Sequence, residues 1–208
     1  MMLNVKKGPE PRALAVLRAT PGSDWSSVHA DQKAEIRSAA LQDQGGLCAY
    51  CTRTLPAAGP TTIEHWNARS SGADPFRWRD LLVVCSGDLS GIRHCDRSRG
   101  NRRLTLHPAD PAVDVEVLTN VRSDGYMESN AAPADIVTLY LNHPTLLRSR
   151  REVIDAVLSR LKGAKLVQLK AEERRWTSPT GGKRHEYSHA ALCLIRRVIR
   201  HRESNPSG

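Results

Sequence analysis

The 208-residue chain has no run of 18 apolar residues, so no transmembrane helix is expected. Its first residues, Met1-Met2-Leu3-Asn4-Val5-Lys6-Lys7, lack the apolar core of a secretory signal, and the expectation is a cytoplasmic protein. There is no internal repeat and no low-complexity tract. No Gly-x-x-x-x-Gly-Lys-Ser/Thr loop occurs, so the chain cannot supply nucleotide hydrolysis by that route. Cysteine is scarce and odd in number: Cys48, Cys51, Cys85, Cys95 and Cys193. Five cysteines in a chain of this length, without a sign of export, argue against a disulfide framework.

What is abundant is positive charge. The net charge is +9, with 39% hydrophobic and 25% charged residues, as in an ordinary soluble globular protein. Residues 1–144 carry 16 Lys/Arg and 16 Asp/Glu, whereas residues 145–208 carry 15 Lys/Arg against 6 Asp/Glu. The whole surplus sits in the last third. Such a segment is the footprint of a polyanion partner, or else a solvated, solubilising face.

Hydrophobic periodicity divides the chain into three segments: 1–46, 47–130 and a basic helical region over 131–208. Residues 1–30 read as irregular, with a turn across Ala13–Leu17. Residues 31–44 read as a helix capped by Asp31 and stopped by Gly45-Gly46. Leu81–Cys85 is a continuous apolar run, a buried strand or the start of a helix. Val113, Val115 and Val117 alternate with Asp114 and Glu116, the period of a half-buried strand. Asp124-Gly125 signals a hairpin. Ile154, Val157, Leu158 and Leu161 mark one helix. Ala191, Leu194, Ile195 and Val198 mark another, with a basic face of Arg196, Arg197, Arg200 and Arg202.

Cys48-x-x-Cys51 has the spacing of a zinc knuckle, because two sulfurs three positions apart on a tight turn can meet one tetrahedral ion. A redox pair or two buried small side chains are the alternatives, and the redox reading lacks its βαβ surroundings. Cys85 and Cys95 are the nearby candidates to close the coordination, although nine residues separate them, and His94 is able to replace either. Cys193 reads as a small core residue. Between the two pairs lies Ile63-Glu64-His65-Trp66. A carboxylate can hold a hard cation such as Mg²⁺, and an imidazole can take a proton from water at neutral pH. Neighbours on a strand point to opposite faces, so the pair needs a twisted strand end to share one site. Asp96 can supply a second carboxylate. Arg97, Arg99, Arg102 and Arg103 cluster behind it, placed to neutralise phosphates, or simply forming a basic loop.

The order Cys-x-x-Cys, Glu-His, Trp-x-Asp-Leu-Leu, Cys, His-Cys-Asp resembles the four-cysteine branch of the HNH endonucleases. Val5–Pro11, Gly46–Cys51, Ile63–Trp66, Trp78–Cys85, His94–Asp96 and Leu141–Leu147 are similar to the HNH nuclease subunit of the Septu anti-phage systems and their retron-associated relatives. The likeness spans residues 3–160. It implies an α+β protein in which a zinc-bound ββα-metal finger is embedded in mainly helical structure. It implies His65 as general base, Glu64 and Asp96 as ligands of a catalytic Mg²⁺ or Mn²⁺, and Cys48, Cys51, Cys85 and Cys95 as ligands of a structural zinc. The middle Asn of the motif is here Asp80, a catalytic-site residue that either braces the loop, accepting hydrogen bonds but unable to donate as an amide, or itself binds metal. A lysine of the last helix is replaced by Arg97 or Arg99. The resemblance implies an endonuclease acting on nucleic acid, DNA or RNA, as the effector of a defence complex with an ABC/SMC-like ATPase. Arg97, Arg99, Arg196, Arg197 and Arg200 then contact nucleic acid or that partner. The competing reading is a non-catalytic zinc ribbon that binds nucleic acid or protein.

Overall fold

The computed structural model describes residues 2–57, 59–89 and 91–205. Helix α1 (Arg12–Ala19) buries Ala13, Leu14 and Leu17, so a helix forms where the sequence suggests only a turn. Helix α2 (Ala30–Asp43) buries Ile36 and Ala40. Its start is capped by His29, whose N–H donates to the Gln32 side chain at 3.0 Å, while Asp31 lies in the first turn instead of capping. Gly45 and Gly46 end it with φ of +63° and +80°, angles glycine adopts without the Cβ clash.

Strands β1 (Thr61–His65) and β2 (Leu81–Cys85) form an antiparallel ladder in which His65 faces Leu81 and Thr61 faces Cys85. All of β2 is buried, which explains its unbroken apolar sequence. Gln44, itself buried, fastens α2 to β2: its amide donates to the Val83 and Leu47 carbonyls and accepts from the Val83 N–H, each at 2.7 Å. Strands β3 (Asp88–Leu89) and β4 (Ile92–Arg93) make a small hairpin, followed by helix α3 (Asp96–Arg99).

The valine alternation over 113–117 does not make a strand. Asp114 accepts the N–H groups of Glu116 and Val117 and starts the short helix α4 (Val115–Leu118), leaving Val117 75% exposed. Local capping outweighs a weak period-two pattern here. Strands β5 (Asn120–Val121) and β6 (Met127–Glu128) form the hairpin around Asp124-Gly125. Gly125 has φ +84°, and a Cβ there would collide with the Leu147 carbonyl. Helices α5 (Pro133–Thr138), α6 (Pro144–Leu161), α7 (Leu166–Thr177) and α8 (Ser188–Ser204) complete the chain.

The buried core runs from Met2 to Ile199 and draws on all three sequence segments. Backbone bonds stitch the helical end to the cysteine region: Cys95 N–H to Leu139, Tyr187 N–H to Thr52, and Arg184 N–H to Gly45. The architecture is thus mixed, mainly helical with three two-stranded sheets among the described residues, and carries a cluster of cysteines. No helix among the described residues is long and apolar enough to cross a membrane.

Candidate metal centre and adjoining carboxylates

The turn at Cys48–Cys51 is tight. Cys48 N–H bonds to Arg53, Thr52 N–H returns to Cys48, and Thr52 takes φ +58° to close the loop. Ala49 N–H bonds to Val83 on β2, which places the knuckle against the strand that ends in Cys85. The β3–β4 hairpin then spends the nine residues after Cys85 by folding back, with His94 N–H on Gly87. Cys95 arrives with φ +52°, a strained angle for a residue with a Cβ, held by its N–H bond to Leu139.

The four sulfurs of Cys48, Cys51, Cys85 and Cys95 all lie within 4.8 Å of one another, all four residues are buried, and none is in a disulfide. Cys51 and Cys85 sulfurs are 3.8 Å apart. Four ligands at about 2.3 Å around a tetrahedral ion have edges of about 3.8 Å. Burial pushes the Cys51 and Cys95 thiols well up. Hydrogen bonds from Cys48, Cys51 and Cys95 push Cys85 down. Four buried sulfurs at this spacing suit replacement of thiol protons by one soft cation, and this donor set can hold a zinc ion. His94 stands beside the cluster, its Nδ1 3.1 Å from the Cys95 sulfur.

Arg150 supports that fit. It lies on the apolar register of α6 with Leu146, Ile154 and Val157 and is 0% exposed. Its Nε donates to the Gly125 carbonyl at 2.7 Å and one amino group to Leu141 at 2.8 Å, while Nη1 has no hydrogen-bond partner. Burial lowers its guanidinium to about 10, and any ionisation of the nearby Tyr187, Cys51 and Cys95 acts to raise it. Four thiolates around Zn²⁺ carry a net charge of about −2, which a buried guanidinium complements.

Glu64, on β1, is buried and accepts from the Tyr50 hydroxyl at 3.1 Å and from Arg99. Asp96, the first residue of α3, acts on it electrostatically. Burial raises the Glu64 carboxyl to about 7; Arg99 opposes this and Asp96 reinforces it. Carboxylates from β1 and α3 therefore lie near one another.

Arg99 differs from the sequence expectation of a phosphate contact. It is 3% exposed, and its guanidinium is committed to Glu64, Tyr50 and the carbonyls of His65, Trp66 and Arg102. It is a buried brace between α3 and β1. Arg97 is exposed and 3.8 Å from Asp88.

His65 faces away from the Glu64 side of the strand. Its Nε2 lies 3.1 Å from the Pro75 carbonyl and its ring packs edge-on against Trp25 at 4.4 Å. Because a carbonyl only accepts, Nε2 carries the proton and Nδ1 keeps its lone pair. Burial lowers His65 to about 4, helped by Arg69. The four cysteines are the one group of three or more potential metal ligands that meets among the described residues. His65 thus does not join Glu64 and Asp96 in a three-ligand cluster.

Asp80 is buried away from those carboxylates. It accepts from Asn67 at 2.7 Å and faces His107 Nε2 at 3.1 Å. His107 Nδ1 accepts the Ala109 N–H, so its Nε2 is the donor to Asp80. Burial acts to raise the Asp80 carboxyl, but the bonds from His107 and Asn67 and the charge of Arg77 outweigh it and hold it low. Asp80 braces the loop between β1 and β2: its backbone carbonyl also receives the Trp66 N–H.

On α8, Arg196 pairs with Glu173 of α7 at 2.8 Å, Arg197 donates to the Val121 carbonyl, and Arg200 is exposed. Sequence reasoning missed Gln44, Tyr50, Asn67, His107 and Arg150. Only Arg150 left a signal, an arginine on an otherwise apolar helical register. No protein-family model and no curated protein matches this chain.

Proposed function

We propose that this chain is a metal-dependent endonuclease of the HNH type, hydrolysing phosphodiester bonds of DNA or RNA. The observation that carries the reading is that α3, bonded to Glu64 on β1 through Arg99, starts at Asp96, so that the two carboxylates lie near one another beside the cysteine cluster. The succession of β1, β2 and α3 agrees with a ββα-metal finger. Glu64 and Asp96 offer the hard oxygen ligands that Mg²⁺ or Mn²⁺ prefers. A bound cation supplies Lewis-acid charge to the phosphoryl and leaving oxygens.

The chain's own residues do the rest. His65 is neutral at pH 7, and its bond to Pro75 leaves Nδ1 to take the proton of the attacking water. Asp80 fixes the loop that carries Pro75 through Asn67 and His107. Arg99 and Tyr50 hold one oxygen of Glu64, leaving the other for a metal. The exposed basic side chains of α6 and α8 supply the surface for nucleic acid or for an ABC/SMC-like ATPase partner in a defence complex.

A non-catalytic zinc module is the second reading. The buried Arg99–Glu64 pair and the orientation of His65 favour it. One assay separates the two. The purified chain, with and without the ATPase, is incubated with plasmid DNA and total tRNA in Mg²⁺ or Mn²⁺, beside His65→Ala. Cleavage by the wild type that falls about 10²–10⁴-fold in His65→Ala supports the enzyme. Equal cleavage by both proteins removes His65 from catalysis, and binding without cleavage under every condition favours the module.

A further inference from the structure

A cavity of about 590 Å³ lies between the N-terminal segment, the turn at Trp78–Asp80 and the loop over 108–114. Its size is that of a small-molecule site. Pro108, Pro111 and Val113 give it apolar lining, and Lys6, Lys7, Arg79 and Arg184 line it too, Arg184 being paired with Glu116 at 3.3 Å. Two carboxylates also line it, and both are engaged. Asp110 accepts the Ala112 N–H and faces Arg79 at 3.6 Å. Asp114 caps α4 and accepts from Asn4 at 2.7 Å.

The cations are held in place. The Lys7 amine sits 3.6 Å from the Trp78 ring centroid and donates to the Leu81 carbonyl at 2.5 Å, leaving two of its three donors for a ligand. Burial lowers this amine to about 8, against the pull of Asp43 and Asp80. Arg79 Nε is buried without a hydrogen-bond partner. A partly dry lining that combines cationic and apolar side chains suits a ligand with an anionic end and an apolar body.

We propose that this cavity binds a nucleoside monophosphate group, its phosphate on Lys6, Lys7 and Arg79 and its base against Pro108, Pro111 and Val113. The group arrives as a free nucleotide or as the 5′-phosphorylated end of a strand. Leu81, which holds Lys7, pairs directly across the ladder with His65, so the cavity adjoins the end of the β1–β2 ladder. The inference does not depend on the nuclease reading.

Calorimetric titration of the full chain tests it with AMP, adenosine, inorganic phosphate, a 5′-phosphorylated trinucleotide and its 5′-hydroxyl counterpart. AMP or the phosphorylated trinucleotide is expected to saturate one site, with adenosine and phosphate each at least ~10-fold weaker. Lys7→Met and the exposed Lys6→Glu are both expected to weaken binding by about 10-fold or more at unchanged zinc content. Tighter binding of the phosphorylated trinucleotide identifies a strand end as the source, and tighter binding of AMP a free nucleotide. No saturation by either at millimolar concentration, or equal binding by wild type and Lys6→Glu, overturns the proposal. Strand cleavage without nucleotide binding rejects this site alone, and nucleotide binding without cleavage rejects only the nuclease reading.

Discussion

Arg99 and Glu64 form an ion pair in the interior, where each charge depends on the other. Removing one partner of a buried pair leaves the other uncompensated, at about 3–5 kcal/mol. Arg99→Leu is therefore expected to lower urea-unfolding stability by about that amount at pH 8. The loss should shrink near pH 5, where Glu64, raised to about 7 in the fold, takes up a proton. Equal losses at both pH values would show that Arg99 matters through packing and its carbonyl bonds instead. His189 provides a pH test far from any proposed ligand. It is buried against Thr119, with Nε2 3.1 Å from the hydroxyl, and burial lowers it from 6.5 to about 4. In that window the unfolded chain binds the proton and the fold does not, so stability present above pH 6.5 is lost as pH falls towards 4. The loss attributable to His189 is roughly 2–4 kcal/mol. Urea melts of wild type and His189→Gln at pH 7.5 and 4.5 measure it: the difference in stability between the two pH values should be smaller in the variant.

At the scale of elements, the cysteine cluster joins the knuckle, β2, the β3–β4 hairpin and the start of α3. Losing the ion should loosen all four together, because apparent zinc affinity at such sites is folding energy, about 10–16 kcal/mol in small fingers. We expect one zinc per chain by metal analysis and a lower melting temperature after chelation. Cys85→Ser should lose the zinc and Cys193→Ser should keep it. A wild-type chain free of zinc would remove the metal centre. How far the elements can be read from sequence follows from the range of the forces that make them. Strand β2 is legible because burial on both faces demands an unbroken apolar run. The knuckle is legible because two ligands on one turn need a fixed spacing. The strand expected over 113–117 does not form because the Asp114 cap acts over three residues and defeats the alternation. The pairing of Cys85 with Cys95 is obscure because a hairpin absorbs the spacing. The Asp80–Asn67–His107 brace and the approach of Arg150 to the cysteines are invisible because nothing local marks partners 13 to about 100 residues away.

For the whole molecule, the charge split has different consequences than a count of arginines suggests. The surplus of residues 145–208 is partly internal. Arg150 is buried and bonds to the Gly125 and Leu141 carbonyls, Arg196 fastens α8 to Glu173 on α7, and Arg197 bonds to β5. Lys170 and Glu203 add a second tie between α7 and α8 at 2.8 Å. These cations stabilise the helical region and are poor candidates for binding phosphate. Arg148 and Arg200 are exposed, and Arg151 is exposed with only a surface pair to Asp155 at 3.6 Å. Such a pair is worth little in solvent and yields readily to a phosphate. Replacing Arg148, Arg151 and Arg200 with glutamine is therefore expected to weaken nucleic-acid binding and reduce the slope of log K against log salt. The reduction is about 0.7–0.9 for each phosphate that is no longer neutralised, up to roughly 2–3 in total. Arg196→Gln should instead lower stability slightly and leave that slope unchanged. Filter binding from 50 to 200 mM salt measures the slope, and a urea melt measures the stability. If the triple variant keeps its nucleic-acid affinity and salt slope but loses association with the proposed ATPase partner that the wild type shows, the exposed basic surface is a docking face, and the strand must be held nearer Glu64 and Asp96.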